Sequence, residues 1–600
     1  MSEVLTRQQV PVEETWNLET IYADNQAWEQ DFEALKASVP ALVEFKGKLG
    51  ESAASLFAGL QLRDDISRQL HKLYTYAHMR YDEDTSNSHY QALNDRAGSL
   101  AAQISAQLAF MTPELLAIDE SHIEAFMSEH ESLNVYRHAF DELAQERPHV
   151  LTEAEEAILA QAGDVLGQSS STFGMLNNAD LKFPKVKNEK GEDVELTHGR
   201  YITFLESSDR SVREGAFKAM YGTYEQYLNT FASTLSGSVK KDNFYATVRK
   251  FESARQAALH HNAIPESVYD GLVEAVNERL DLLHRYVALR KRALGVDELH
   301  MYDLYTPLVK DVDMKIPYDE AKDLMVEGLA PLGDEYVQIV KDGLASRWVD
   351  VRETRGKRSG AYSSGAYDTQ PFILMNWQDN VNNLFTLAHE FGHSVHSHYT
   401  RATQPYPYGD YSIFVAEVAS TTNEALLNDY LLKTRTDRQE RLYLLNNQLE
   451  TFRGTLFRQT MFAEFEHMIH KAAQEGVSLT PEYLNETYLE LNKRYFGDEL
   501  VIDGEIAFEW ARIPHFYYNY YVYQYATGIS ASAALSQQIM EEGEPAVRRY
   551  IDKFLKAGSS DYPIEVLKAA GVDMTTKAPV LAALDQFEAV LDEMETLLFQ

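Results

Sequence analysis

Residues 384–399 read LFTLAHEFGHSVHSHY, four histidines and one glutamate within sixteen positions of an otherwise apolar stretch. The segment VNNLFTLA leading into them has the apolar spacing of a packed helix. Within it, His389-Glu390-Phe391-Gly392-His393 matches the pattern H-E-x-x-H. On a helix, residues four apart share a face, so His389 and His393 can direct imidazole nitrogens at one ion. Glu390 stands one position round, where a carboxylate meets a water on that ion without ligating it. The chemistry needs this arrangement, because the metal lowers the pKa of the water and the carboxylate takes its proton. The competing reading is a buried helix with two satisfied histidines. A third ligand decides between them, since a catalytic zinc site wants three protein ligands and one open position.

Two familiar placements of that ligand fail. The metzincin extension needs Gly at 396 and His at 399, where the chain has His396 and Tyr399; a thermolysin-like Glu at 412 meets Ser412. The next segment, DYSIFVAEVASTTNEALLNDY over 410–430, has helical apolar spacing, with Glu417, Ser420, Thr421 and Glu424 as one polar stripe. A second helix packed antiparallel to the first presents that stripe to the His pair. Glu417 is the best third ligand, and Glu424, two turns on, is either an acceptor for a ligand His N–H or a plain helix-surface carboxylate. His396 shares a face with His389 and His393, but three histidines plus Glu417 would close the site, so it is read as a packing or supporting residue. His398 points elsewhere.

The rest of the chain limits the alternatives. Six hundred residues exceed what a single core holds. Hydrophobic content of 44% with 24% charged residues is that of an ordinary soluble globular protein. Only 30 Gly and 17 Pro over this length, among long runs of Ala, Leu, Glu, Gln and Lys, predict a mainly α fold. A net charge of −37 makes nucleic acid and anionic membrane poor partners, and solubility explains it better than a cationic ligand does. The absence of Cys excludes disulfides, Cys nucleophiles and thiolate metal sites. The start, MSEVLTRQQVPVEETWN, is charged at Glu3, Arg7, Glu13 and Glu14 and has no apolar signal core. With no apolar run long enough to span a bilayer, a cytoplasmic protein is expected.

The first 180 residues read as successive amphipathic helices, with helix starts at Thr112-Pro113 and at Thr152, where Glu155 completes a capping box. Strand-like runs around Asn188-Glu189-Lys190-Gly191 predict a hairpin, and the change of texture there suggests a boundary, with a helical region over 1–195 and a catalytic region over 196–600. A second break, RSGAYSSGAYDTQPFILMNW over 358–377, holds two Gly-Ala-Tyr units before a β-branched and aromatic run. Short strands with glycine at close approaches are expected.

HEFGHSVHSHY followed by FVAEVASTTNE resembles the thimet-oligopeptidase-like metallopeptidases. KRSGAYSSGAYDTQPFILMNW, LHRYVALRKRALGVDELHMYDLY and IPHFYYNYYVYQYATG are similar to the oligoendopeptidase F group within them. The resemblance runs from TWNLETIY near the start to the C-terminal tyrosine cluster. It implies a multi-helical shell enclosing a deep substrate channel, with small β elements near the active site. It also implies one Zn2+ per chain and hydrolysis of internal bonds in short peptides. By resemblance the metal ligands are His389, His393 and Glu417, and the catalytic glutamate is Glu390. The oxyanion donors are His515 with Tyr520 and Tyr523, Tyr518 being an alternative. Gly360, Tyr362, Gly365 and Tyr367 would line the channel and offer a strand edge to substrate backbone. The same residues leave open a metallocarboxypeptidase of similar fold, an idle peptide-binding protein, and Mn2+ or Co2+ in place of zinc.

Overall fold

The computed structural model describes residues 4–309 and 314–599. The chain is 73% helical and 5% strand, as its few glycines and prolines predict. It divides into two compact units. One comprises Met1–Arg147, Asp313–Lys433 and Leu535–Val572; the other comprises Pro148–Val312, Thr434–Ala534 and Asp573–Gln600.

In the first unit, helix α1 (Ala53–Glu83) starts at Ser52, whose hydroxyl accepts the Ser55 N–H at 3.1 Å. This satisfies one of the backbone donors that a helix start leaves unpaired. Ile66, Leu73, Tyr76, Ala77 and Met79 of α1 share one core with Trp16, Trp28 and Phe32, and with Phe372 and Leu374 of a small sheet. That sheet has three strands, β1 (Val349–Arg352), β2 (Tyr362–Ser364) and β3 (Phe372–Trp377), in the order β1-β3-β2. Central β3 is almost wholly buried, which its continuous apolar run FILM requires. It pairs parallel with β1 and antiparallel with β2, Ser363 standing opposite Ile373. β2 is therefore an edge strand, as short as the two Gly-Ala-Tyr units predict. Gly365 follows it at φ +151°, and a Cβ there would meet Gln370 O at 3.1 Å, so the turn out of β2 needs glycine.

A buried ion pair ties the sheet together. Lys357, with no exposed side-chain surface, contacts Asp350 Oδ1 at 2.7 Å and donates to the carbonyls of Arg352 and Met375, on β1 and β3. The other Asp350 oxygen takes Arg7.

From β3 the chain runs into α2 (Val381–Thr403). Asn380 caps it, its side-chain oxygen accepting the Asn383 N–H at 2.9 Å. Leu384, Leu387, Ala388, Phe391 and Val395 form its buried face, and Pro405 lies just past its end. Helix α3 (Ile413–Thr434) follows, burying Val415, Val418, Ala419, Leu426 and Leu427.

In the second unit, Lys185–Lys187 pairs antiparallel with Asp193–Glu195 around Gly191 at φ +76°. The predicted hairpin is present and lies inside this unit. The Thr152–Glu155 capping box forms as expected. The start predicted at Thr112 is displaced: that helix spans Met111–Ala117, so Thr112 is already helical and does not cap it. Among the described residues no helix is long and apolar enough to cross a membrane.

Lys357→Met leaves the buried Asp350 with Arg7 and the Trp16 N–H on one oxygen and no cation on the other. Breaking a buried pair from one side costs about 3–5 kcal/mol, and chemical denaturation is expected to show a loss of that size.

Candidate metal centre

Helix α2 carries His389 and His393 one turn apart, and α3 brings Glu417 against them. The two Nε2 atoms lie 3.2 Å apart; Glu417 Oε2 is 3.2 Å from the first and 3.6 Å from the second. Ligand atoms about 2.0–2.1 Å from a tetrahedral ion stand about 3.3 Å from one another. The three atoms therefore frame one ion, and the donor set, two imidazoles and a carboxylate, suits a divalent metal with one position open. Among the described residues this is the one His and acidic group with such spacing.

The imidazoles are aimed. His389 Nδ1 donates to Glu424 Oε1, which turns Nε2 toward the cluster. Of the two readings of Glu424, the structure thus has the hydrogen-bond acceptor. Burial works against a charged His389, but Glu417 and Glu424 outweigh it and raise His389 to about 10. In turn, hydrogen bonds from His389 and His393 hold the Glu417 carboxyl well below the usual range. Positive charge is stabilised at this point, as a metal site requires.

What lets α3 come close enough is Gly392. A Cβ at this position would stand 2.5 Å from Ser420 Cα and 2.8 Å from Ala419 O. Asn423 fixes the register, its amide donating to Ala388 O at 3.1 Å while its own oxygen accepts the Tyr336 hydroxyl at 2.9 Å. Neither Gly392 nor Asn423 is evident from ligand spacing. The signal for Gly392 is a lone glycine inside a helical run, opposite the small pair Ala419-Ser420.

Glu390 lies on α2 beside the cluster, nearly buried at 7% exposure. Burial raises its carboxyl above the ordinary value, as does Glu417, while both imidazoles and a hydrogen bond with the Ser363 backbone oppose the rise. His396 makes no bond to the cluster. It is 1% exposed, its ring parallel to Tyr411 at 3.8 Å and stacked near Phe554, and burial depresses its pKa to about 3. It is a neutral packing residue.

The Gly-Ala-Tyr side chains are committed to the fold. Tyr362 donates to Asp82 at 2.8 Å, and Tyr367 donates to Gln404 O under the Arg68 guanidinium. Gly360, at φ +88°, has nothing near its Cβ position.

In the second unit, His515 is half-buried on a short turn (Pro514–Tyr517), and burial lowers its pKa. The rings of Tyr518, Tyr521 and Tyr525 surround it, and the Tyr525 hydroxyl is 3.5 Å from its Nε2. Tyr518 is 57% exposed. Tyr520 and Tyr523 are both buried against Tyr269. The Tyr520 hydroxyl is used by His467 Nδ1 at 3.1 Å and its N–H by Glu466. Asn519 and Tyr520 are consecutive left-handed residues, which interrupt helix between His515 and Tyr523.

Comparison with known proteins agrees with this centre. Residues 203–586 match Peptidase family M3, and residues 114–183 match the family described as Oligopeptidase F. The chain belongs to peptidase family M3. It is 62% identical to oligopeptidase PepF of Bacillus subtilis over 99% of this chain and 88% of that one. It is 49% identical to group B oligopeptidase PepB of Streptococcus agalactiae, over 97% and 96%. The crystal structure of oligoendopeptidase-F from Enterococcus faecium superposes with a TM-score of 0.74 at 44% identity, covering 96% of this chain and 99% of that one. The M3 peptidase is thus a metalloendopeptidase of oligopeptides.

Two substitutions test the centre. Glu424→Ala is expected to weaken metal affinity about 10–100-fold by freeing the His389 ring. Gly392→Ala forces α2 and α3 apart and is expected to lower metal affinity at least about tenfold with circular dichroism unchanged; metal titration monitors both.

Proposed function

We propose that this M3 peptidase is a zinc endopeptidase whose ion is held by His389, His393 and Glu417 and whose general base is Glu390. The observation that carries the reading is the convergence of two Nε2 atoms and one carboxylate oxygen within 3.6 Å. Two imidazoles and one carboxylate are a zinc donor set, and one zinc per chain follows.

An ion held there supplies Lewis acidity, which lowers the pKa of water and polarises a carbonyl. The rest of the chemistry belongs to the chain. Glu390, one position round the helix from His389, accepts the proton of the attacking water and delivers it to the leaving amine. Its burial and raised proton affinity suit a group that must both take a proton and give it up. With an ion in place of the Nε2 proton, the Nδ1–Glu424 hydrogen bond would keep His389 Nε2 aimed at the ion. The edge strand β2 offers unpaired backbone to an extended peptide, with Gly360 and Gly365 flanking it. Tyr362 and Tyr367 then serve by holding that strand in place. Hydrolysis also needs donors for the oxyanion. The resemblance assigns these to His515 with Tyr520 and Tyr523, Tyr518 being the alternative. The substrates are short peptides cut at internal bonds.

Glu390→Gln is expected to retain one zinc and lose at least about a hundredfold in turnover. Mass spectrometry of a peptide digest reads this, together with internal cuts in the wild type that a chelator abolishes. Retained turnover would sink the assignment of Glu390.

A further inference from the structure

Between His515 and the helix that begins at Tyr523, two successive residues, Asn519 and Tyr520, take left-handed backbone at φ +35° and +56°. Asparagine tolerates that region, but a bulky side chain such as tyrosine is an outlier there. A strained turn of this kind persists only where its surroundings over-determine it.

Helix α4 (Arg458–Gln474) supplies those surroundings. Its Glu466, with no exposed surface, accepts the Tyr520 N–H on Oε1 at 2.6 Å. His467 Nδ1 lies 3.1 Å from the Tyr520 hydroxyl, and the His470 ring stands 4.8 Å from the Tyr520 ring. His470 is itself fixed, with one nitrogen 2.8 Å from Glu466 O and the other 3.3 Å from Asp242 Oδ2. Three residues earlier, Tyr517 is pinned as well: its ring stacks on Phe173 at 4.2 Å and its hydroxyl is 2.8 Å from Thr234 Oγ1. The buried Tyr517 and Tyr520 thus bracket the exposed Tyr518, and His515 gathers the rings of Tyr518, Tyr521 and Tyr525 around it.

A carboxyl is a costly group to place in this core. Glu466 Oε2 is buried and has no hydrogen-bond partner among the described residues, and burial pushes the carboxyl up to about 7. Leucine would fill the same space without an unpaired polar atom. What leucine cannot do is accept the Tyr520 N–H.

We infer that Glu466 is a positioning residue for His515: by accepting the Tyr520 N–H it holds a turn that the chain does not adopt unaided, and the turn sets His515 and the tyrosines beside it in one arrangement. The inference rests on the reading of His515 and a tyrosine of this segment as oxyanion donors. It gives catalytic consequence to a buried carboxyl on another helix that touches no reacting atom.

The test is kcat, KM, bound zinc and denaturation midpoint for Glu466→Leu, Glu466→Gln, His515→Ala, and Glu466→Leu combined with His515→Ala. His515→Ala is expected to lower kcat at least about a hundredfold, the scale of one oxyanion donor. Glu466→Leu is expected to lower kcat about tenfold, the scale of one hydrogen bond to a carboxyl, with KM and zinc unchanged. Glu466→Gln keeps an acceptor oxygen at the same reach and is expected to recover most of that loss. In the His515→Ala background, Glu466→Leu is expected to cost less than about a further twofold, because its effect runs through His515. Should Glu466→Leu fold poorly, Glu466→Asp, which draws the acceptor back by one methylene, takes its place with about a threefold loss and the same coupling. An undiminished loss in the His515→Ala background would overturn the inference. So would a lowered midpoint with kcat unchanged while His515→Ala is inactive. A fully active His515→Ala would instead remove the reading of His515 as a donor, and this inference with it.

Discussion

At Gly392 the backbones of α2 and α3 come so close that a single methyl group would stand 2.5 Å from Ser420 Cα. That approach sets the distance from the His389–His393 pair to Glu417. A carboxylate stem cannot make up several ångströms, so Glu417 reaches the two imidazoles only because glycine stands between the two histidines. Asn423 and Tyr336 then fix which turn of α3 faces which turn of α2. The rest of the first unit serves this contact. The buried Lys357–Asp350 pair holds the sheet from which α2 departs, and the Asn380 cap sets where the helix begins.

The centre is an acidic enclosure for a cation within a protein of net charge −37. Glu417 and Glu424 face the two imidazoles, and Glu390 stands beside them without joining the cluster. Three carboxylates so near one another are costly without positive charge to share. A divalent ion would relieve that cost. His389 and His393 turn Nε2 toward Glu417, while Ser394 on the same helix meets Ser363 of β2.

Much of this was legible in the residues because it follows from helical periodicity. The i, i+4 spacing of the histidines, the polar stripe that brings Glu417 to them, and the low glycine and proline content are each present in the structure, while Glu424 was left between two readings until His389 was seen to meet it. What was not legible depends on contacts between segments. Gly392 appears only as an unassigned position of the motif until α3 is placed against it. The left-handed backbone of Asn519 and Tyr520 is likewise something that periodicity cannot foresee in residues other than glycine. Thr112 resembled a cap but lies inside its helix, an error at the element boundary, where sequence signals are weakest.

The most direct test of the centre is anomalous diffraction at the zinc edge from crystals of the zinc-loaded protein. The account predicts one strong peak per chain bounded by His389 Nε2, His393 Nε2 and a Glu417 carboxylate oxygen, with Glu390 close by but unligated. A peak at other residues, or one with Glu390 in place of Glu417 as ligand, would contradict it.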